Sequence, residues 1–177
     1  MGRGNIYLVG MMGAGKTTLG RAIAQRLARR FVDTDKLLVE RTGVPVATVF
    51  EIEGEEGFRR REAAVVCELA AQDELVVATG GGAVLAADNR QAMRDSGTVV
   101  YLRAKPEHLW QRLKHDTTRP LLATADPRGT LAALVAARDP VYREAAHLIV
   151  DTGPHSAATV VQRVLLALRR HGAVAVR

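Results

Sequence analysis

The stretch Gly10-Met11-Met12-Gly13-Ala14-Gly15-Lys16-Thr17-Thr18 constrains this chain more than any other. From Gly10 to Thr17 it fits the phosphate-loop pattern G-x-x-x-x-G-K-[ST], and both flanks suit it. Ile6-Tyr7-Leu8-Val9 is a short apolar run that reads as a buried strand. Leu19, Ile23 and Leu27 then recur at helical spacing, with Ala22 beside them, so a helix is expected to open at the loop. Glycines let the backbone wrap phosphate oxygens where a Cβ would obstruct. Free N–H groups and the helix dipole favour an anion at that point. Gly13, Ala14, Gly15, Lys16, Thr17 and Thr18 are therefore candidate ATP-binding residues, with Lys16 as the point charge on the β- and γ-phosphates. The Thr17 hydroxyl is offered to Mg²⁺.

A chain of 177 residues is expected to form one domain, and 47% hydrophobic residues suffice for a core of Val, Leu, Ala and Ile. The single cysteine, Cys67, excludes an internal disulfide framework and a Cys-based zinc site, which points to a reduced, cytoplasmic setting. Charged residues interrupt every apolar stretch well short of the ~20 needed to cross a bilayer, so no membrane association is expected. The net charge of +6 and pI of about 10.1 admit a polyanionic partner. The arginines are dispersed and lack an aromatic ladder, so small anions such as ATP suit the charge and nucleic acid is not expected.

Five apolar runs, 6–9, 31–32, 75–78, 99–102 and 148–150, alternate with amphipathic segments. This alternation predicts an α/β fold: a five-stranded parallel sheet in three layers, with helices on both faces. Ligands of such sheets bind beyond the carboxyl ends of the strands, so the residues after each run are the informative ones. After the second run stand Asp33-Thr34-Asp35, whose carboxylates either serve Mg²⁺ and a substrate hydroxyl or cap the helix expected at 36–41. Residues 51–57, acidic and punctuated by glycine, read as a loop leading into a helix whose buried face holds Phe58, Val65 and Leu69. On that helix Arg59 and Glu62 are neighbours at i,i+3, either aiming a guanidinium fork at a ligand carboxylate or forming a solvated pair.

After the third run come Gly80-Gly81-Gly82, a backbone that a ligand can approach closely. No aspartate follows that strand, which leaves Asp33 as the candidate metal contact. Residues from about 114 to 127 lose periodicity and read either as a mobile cover with Arg112 at its base and Arg119 at its tip, or as a plain surface loop. Thr130 is expected to cap a helix through Arg138 that Asp139-Pro140 breaks. Ser156 is expected to cap a closing helix with Val160, Val161, Val164, Leu165 and Leu168 inward, and the tail after His171 to fray.

Taken in order, these features resemble the shikimate kinase family over nearly the whole chain. The loop Gly10 to Arg21, Asp33-Thr34-Asp35, Phe58-Arg59-Arg60-Arg61-Glu62, Gly80-Gly81-Gly82, Arg119-Pro120-Leu121-Leu122 and Arg138 before Pro140-Val141-Tyr142-Arg143 each match its motifs. The resemblance implies a nucleoside-monophosphate-kinase-like phosphate-loop fold that moves the γ-phosphoryl group of ATP to the 3-hydroxyl of shikimate, in aromatic amino-acid biosynthesis. It implies that Asp35, Arg59, Gly81 and Arg138 hold substrate with Glu62 orienting, that Lys16, Asp35 and Arg119 are catalytic, and that Thr17 and Asp33 serve Mg²⁺. Segment 33–62 would then bind substrate and 114–127 would be the lid, in a chain that acts as a monomer. His155 stands where the family often has an arginine beside adenine, which leaves Arg112 as the candidate for that contact. Rival readings are a phosphate-loop kinase for gluconate or a nucleoside monophosphate, which the glycine run and F-R-x-x-E disfavour, and a nucleotide-binding regulator without catalysis.

Overall fold

The computed structural model describes residues 4–116 and 120–174. Its strands are β1 (Asn5–Val9), β2 (Arg30–Asp33), β3 (Leu75–Ala78), β4 (Gly97–Arg103) and β5 (Leu148–Asp151). They form one sheet of order β2-β3-β1-β4-β5, parallel throughout. β1 and β3 are buried along their whole length, which is why they read as unbroken apolar runs. The helices are α1 (Lys16–Leu27), α2 (Thr34–Thr42), α3 (Val46–Ala70), α4 (Ala87–Ser96), α5 (Pro106–Leu113), α6 (Pro127–Ala145) and α7 (Ala157–Arg170). α1 packs with α7, while α4 packs with both α3 and α6, and α4 and α6 lie against β4.

Register decides where the chemistry falls. Leu8 and Asp33 both pair with Ala78, and Val9 pairs with Tyr101. β1 therefore runs one residue past β2 and β3, and Thr34 and Thr79 leave the sheet level with Val9, just before Gly10. At the opposite end the buried Asn5 amide donates to the Leu69 and Gln72 carbonyls, and its oxygen accepts from the Leu75 N–H. One side chain thus joins β1, the end of α3 and the start of β3.

Three expectations need correction. Residues 51–57 are helical, not a loop: α3 runs from Val46 to Ala70 with one non-helical residue, Gly54, at φ 69°. Glutamates are good helix formers, and here Glu55–Arg59 and Glu56–Arg60 pair at i,i+4 while Arg61 holds both oxygens of Glu53 across the kink. α6 starts earlier than expected, capped by Asp126 through the Gly129 N–H, and it continues through Pro140 to Ala145. One rung of the ladder is lost at the proline, and burial of Leu131, Arg138, Tyr142 and Ala145 holds the turns on both sides. The described part of the tail does not fray, since Val174 is buried in the core. The Ser156 cap and the inward face of α7 are as expected.

Candidate functional site

Gly10, Gly13 and Gly15 all have positive φ, so the loop between β1 and α1 turns as only glycine does readily. A Cβ on Gly13 would lie 2.9 Å from Leu113 Cγ, so α5 also requires glycine there. The Lys16 ammonium reaches back to the Gly10 and Met11 carbonyls at 2.6 and 2.9 Å. Met12, Gly13, Gly15, Lys16, Thr17, Thr18, Asp33, Asp35, Thr79 and Gly81 line one hollow, a cradle at the N-terminus of α1.

The capping reading of Asp33 holds. Its Oδ1 caps α2, accepting from the Asp35 and Lys36 N–H groups at 3.1 and 3.2 Å. Its Oδ2 accepts from the Thr17 hydroxyl at 2.6 Å. A hydroxyl and a carboxylate oxygen thus meet beside the cradle, hard donors of the kind Mg²⁺ takes. Among the described residues no group of three or more His, Cys, Asp or Glu side chains could hold a metal. Mg²⁺ fits that pattern, because it takes one or two protein ligands and completes its shell with water and phosphate.

A second hollow lies on the other side of the glycine run. It is lined by Met12, Asp35, Val46, Phe50, Phe58, Arg59, Glu62, Gly80, Gly81, Gly82, Leu121 and Arg138, and shares Met12, Asp35 and Gly81 with the cradle. Phe50 and Phe58 stack as one wall with centroids 4.5 Å apart. The Arg59–Glu62 pair is not a solvated surface pair. Glu62 is 1% exposed and its Oε2 accepts from Arg59 Nη1 at 2.8 Å, while Glu55 takes a second guanidinium N–H at 3.2 Å. Burial pushes the Glu62 carboxyl above its ordinary range; Arg59 holds it down and the nearby Asp35 charge adds to the rise. Glu62 Oε1 is buried without a hydrogen-bond partner and faces the same backbone as Asp35 Oδ1, the two lying 2.8 and 2.9 Å from where a Cβ on Gly80 would stand.

The three glycines differ in what they permit. A Cβ on Gly80 would collide with Glu62 and Asp35, and one on Gly82 with the Arg59 guanidinium. At Gly81 a Cβ would meet its neighbours, Arg138 Nη1 among them, at 3.6 Å or more, ordinary contact without a clash. Arg138, 7% exposed, comes from the middle of α6.

A third hollow, lined among others by Gly13, Gly15, Thr18, Arg112, Thr152 and His155, continues from the cradle in the opposite direction. Arg112 donates to the Gly13 carbonyl at 2.9 Å and the Gly153 carbonyl at 3.2 Å, tying the phosphate loop to the loop after β5. His155 lines this hollow together with Arg112. Arg119 lies outside the described residues. Of the segment expected as a lid, Pro120–Leu122 forms a short 3₁₀ turn whose Leu121 walls the second hollow and whose Leu122 is buried, and Pro127 already belongs to α6.

Sequence reasoning missed Thr34 and Tyr142. The Thr34 hydroxyl accepts from the Gly80 N–H at 3.0 Å, and the Tyr142 hydroxyl donates to the Gly81 carbonyl. Tyr142 lies four residues after Arg138, a same-face spacing concealed by ending the helix at Pro140.

A family model described as shikimate kinase matches residues 12–169. A shikimate kinase of Dechloromonas aromatica is 54% identical over 168 residues, covering 95% of this chain and 92% of that protein. One of Bordetella pertussis is 56% identical over 166 residues, covering 94% and 79%. The solved structure of a shikimate kinase from Acinetobacter baumannii in complex with shikimate superposes with a TM-score of 0.92 at 45% identity, over 95% of this chain and 94% of that one.

Proposed function

The chain belongs to the shikimate kinase family and phosphorylates shikimate with ATP, and on that premise we propose how its residues divide the work. The cradle holds the triphosphate, the third hollow takes the adenosine between Arg112 and His155, and the second hollow takes shikimate. The observation that carries this reading is that the second hollow combines two arginines, a carboxylate and exposed backbone, and shares Met12, Asp35 and Gly81 with the cradle. Shikimate has a carboxylate for Arg59 and Arg138, and ring hydroxyls for Asp35 and the backbone at Gly81. Glu62 orients Arg59 from behind.

The reaction is an in-line displacement in which positioning and charge neutralisation do most of the catalysis. The shikimate 3-hydroxyl oxygen forms a bond to the γ-phosphorus, the bond from that phosphorus to the bridging oxygen breaks, and ADP leaves. Asp35 takes the hydroxyl proton as it departs. Lys16 and the loop N–H groups neutralise charge on the phosphates, and Arg119 adds to this when the cover closes. Thr17 and Asp33 would hold Mg²⁺, which would supply further charge neutralisation at the phosphates.

The phosphate loop, substrate segment and cover act within one domain, as a cytoplasmic monomer without a nucleic-acid or membrane partner. Among the described residues no helix is long and apolar enough to cross a membrane. The test is ADP release by the purified protein with and without shikimate. A shikimate-dependent rise is expected. Release that responds instead to gluconate or a nucleoside monophosphate, or to no acceptor, would overturn the assignment.

A further inference from the structure

Tyr142 is almost fully buried, on the face of α6 that also carries Arg138 one turn earlier. Its hydroxyl donates to the Gly81 carbonyl and touches Met11 Sδ at 3.6 Å. The Arg138 guanidinium lies against the same hydroxyl. One oxygen atom thus touches the glycine run, the phosphate loop and an arginine of the second hollow.

The consequences follow from peptide geometry. The Gly81 carbonyl belongs to the planar unit that joins Gly81 to Gly82, so fixing that oxygen fixes the plane. Gly82 moves with the plane, and the Arg59 guanidinium packs against the spot a Gly82 Cβ would occupy. The other end of the run is tied separately, by the Gly80 N–H to Thr34. The run is therefore held at two points, one on α2 and one on α6, and the stretch between them borders both hollows.

The phenol is itself held. Its ring stacks on Tyr101 with centroids 4.9 Å apart. The Tyr101 hydroxyl donates to Asp139 at 2.9 Å, and Asp139 accepts from Arg143 at 2.6 Å. Burial pushes the Tyr142 hydroxyl up to about 12, against the pull of the nearby Arg138 and Arg59 charges, so it remains a neutral donor at physiological pH.

We propose that Tyr142 is a positioning residue for the acceptor substrate: its hydroxyl sets the Gly81–Gly82 peptide plane and the Arg138 guanidinium in one register, so that backbone and cation meet shikimate together. The inference rests on the shikimate kinase reading and deepens it. Substrate contact stays with Gly81 and Arg138, and Tyr142 acts through them.

The test is Tyr142→Phe, which removes one oxygen and keeps the ring stack. KM for shikimate is expected to rise about fivefold or more, the loss of one well-aligned hydrogen bond, while KM for ATP stays within about twofold. Tyr101→Phe, which keeps the ring stack and loses only the bond to Asp139, is the control and should shift KM for shikimate by less than Tyr142→Phe does; an equal shift would overturn the proposal. Equal changes in both KM values, or none, would overturn the proposal. So would a Tyr142→Phe protein that does not fold, since the hydroxyl would then be a structural group. Wild-type protein without shikimate-dependent ADP release would instead sink the reading on which the inference rests.

Discussion

Gly82→Ala tests whether the glycine run makes room for the Arg59 guanidinium. Gly82 has φ −97° and ψ 1°, a conformation open to alanine, so the backbone is not strained. The added Cβ would stand 2.5 Å from Arg59 Cζ. Ordinary carbon–carbon contact is about 3.5 Å, so the guanidinium must retreat by about 1 Å. It can do so, because it is the far end of a flexible side chain, but Glu62 is then left buried with a weakened partner, so the cost to folding should be about 1–3 kcal/mol. The 2.8 Å bond from Arg59 to Glu62 would then stretch beyond bonding range or swing out of line. A charged hydrogen bond to the shikimate carboxylate is worth about 1.5–3 kcal/mol, which is about 10- to 150-fold in affinity. KM for shikimate should rise by an amount in that range while KM for ATP stays within about twofold. The assay is coupled ADP release with each substrate varied at saturating levels of the other, alongside a thermal melt. A folded Gly82→Ala protein whose KM for shikimate is within twofold of wild type would refute the claim that this glycine makes room for a substrate-binding arginine.

Other expectations are simpler. Asp35→Asn should lower kcat by about a hundredfold or more with both KM values little changed, and near-normal turnover would remove Asp35 from the base role. Arg112→Ala cuts the tie between Gly13 and Gly153, so KM for ATP should rise by about fivefold with KM for shikimate unmoved, as measured in the same assay. A pH effect is expected far from the site, at His147, whose Nδ1 accepts the Val99 N–H at 3.0 Å and is therefore unprotonated. Burial, with the Arg94 and His171 charges beside it, lowers its pKa below 6.5. A depressed imidazole contributes stability that is present above its unfolded value near 6.5 and lost as pH falls through the folded value. Melting temperature should therefore drop from pH 7.5 to 5.5, and His147→Asn, which keeps an acceptor that does not titrate, should show a drop smaller by about 2 °C, a modest effect because the ring is partly solvated. Identical pH slopes for the two proteins would exclude His147 as the source.

Legible along the chain alone were the sheet, the phosphate loop and the inward faces of α1 and α7. Those features are local: an apolar run marks a strand buried on both faces, a glycine pattern marks a turn, and four-residue spacing marks a helix face. The strand-end rule directed attention to Asp33, Asp35 and Gly81, and Arg59 stood out by its spacing to Glu62, whereas Arg138 was legible only through the family resemblance. Local signals misled at two points for one reason: glycine in 51–57 and proline at 140 weaken a helix in isolation, and packing of Phe58, Glu62, Leu131 and Tyr142 holds α3 and α6 together regardless. The folded arrangement alone buries Glu62, because its desolvation depends on Gly80 and Asp35 arriving from other elements. It alone joined Tyr142 to Gly81, 61 residues apart, since a hydrogen bond between distant segments leaves no spacing for a linear pattern to record.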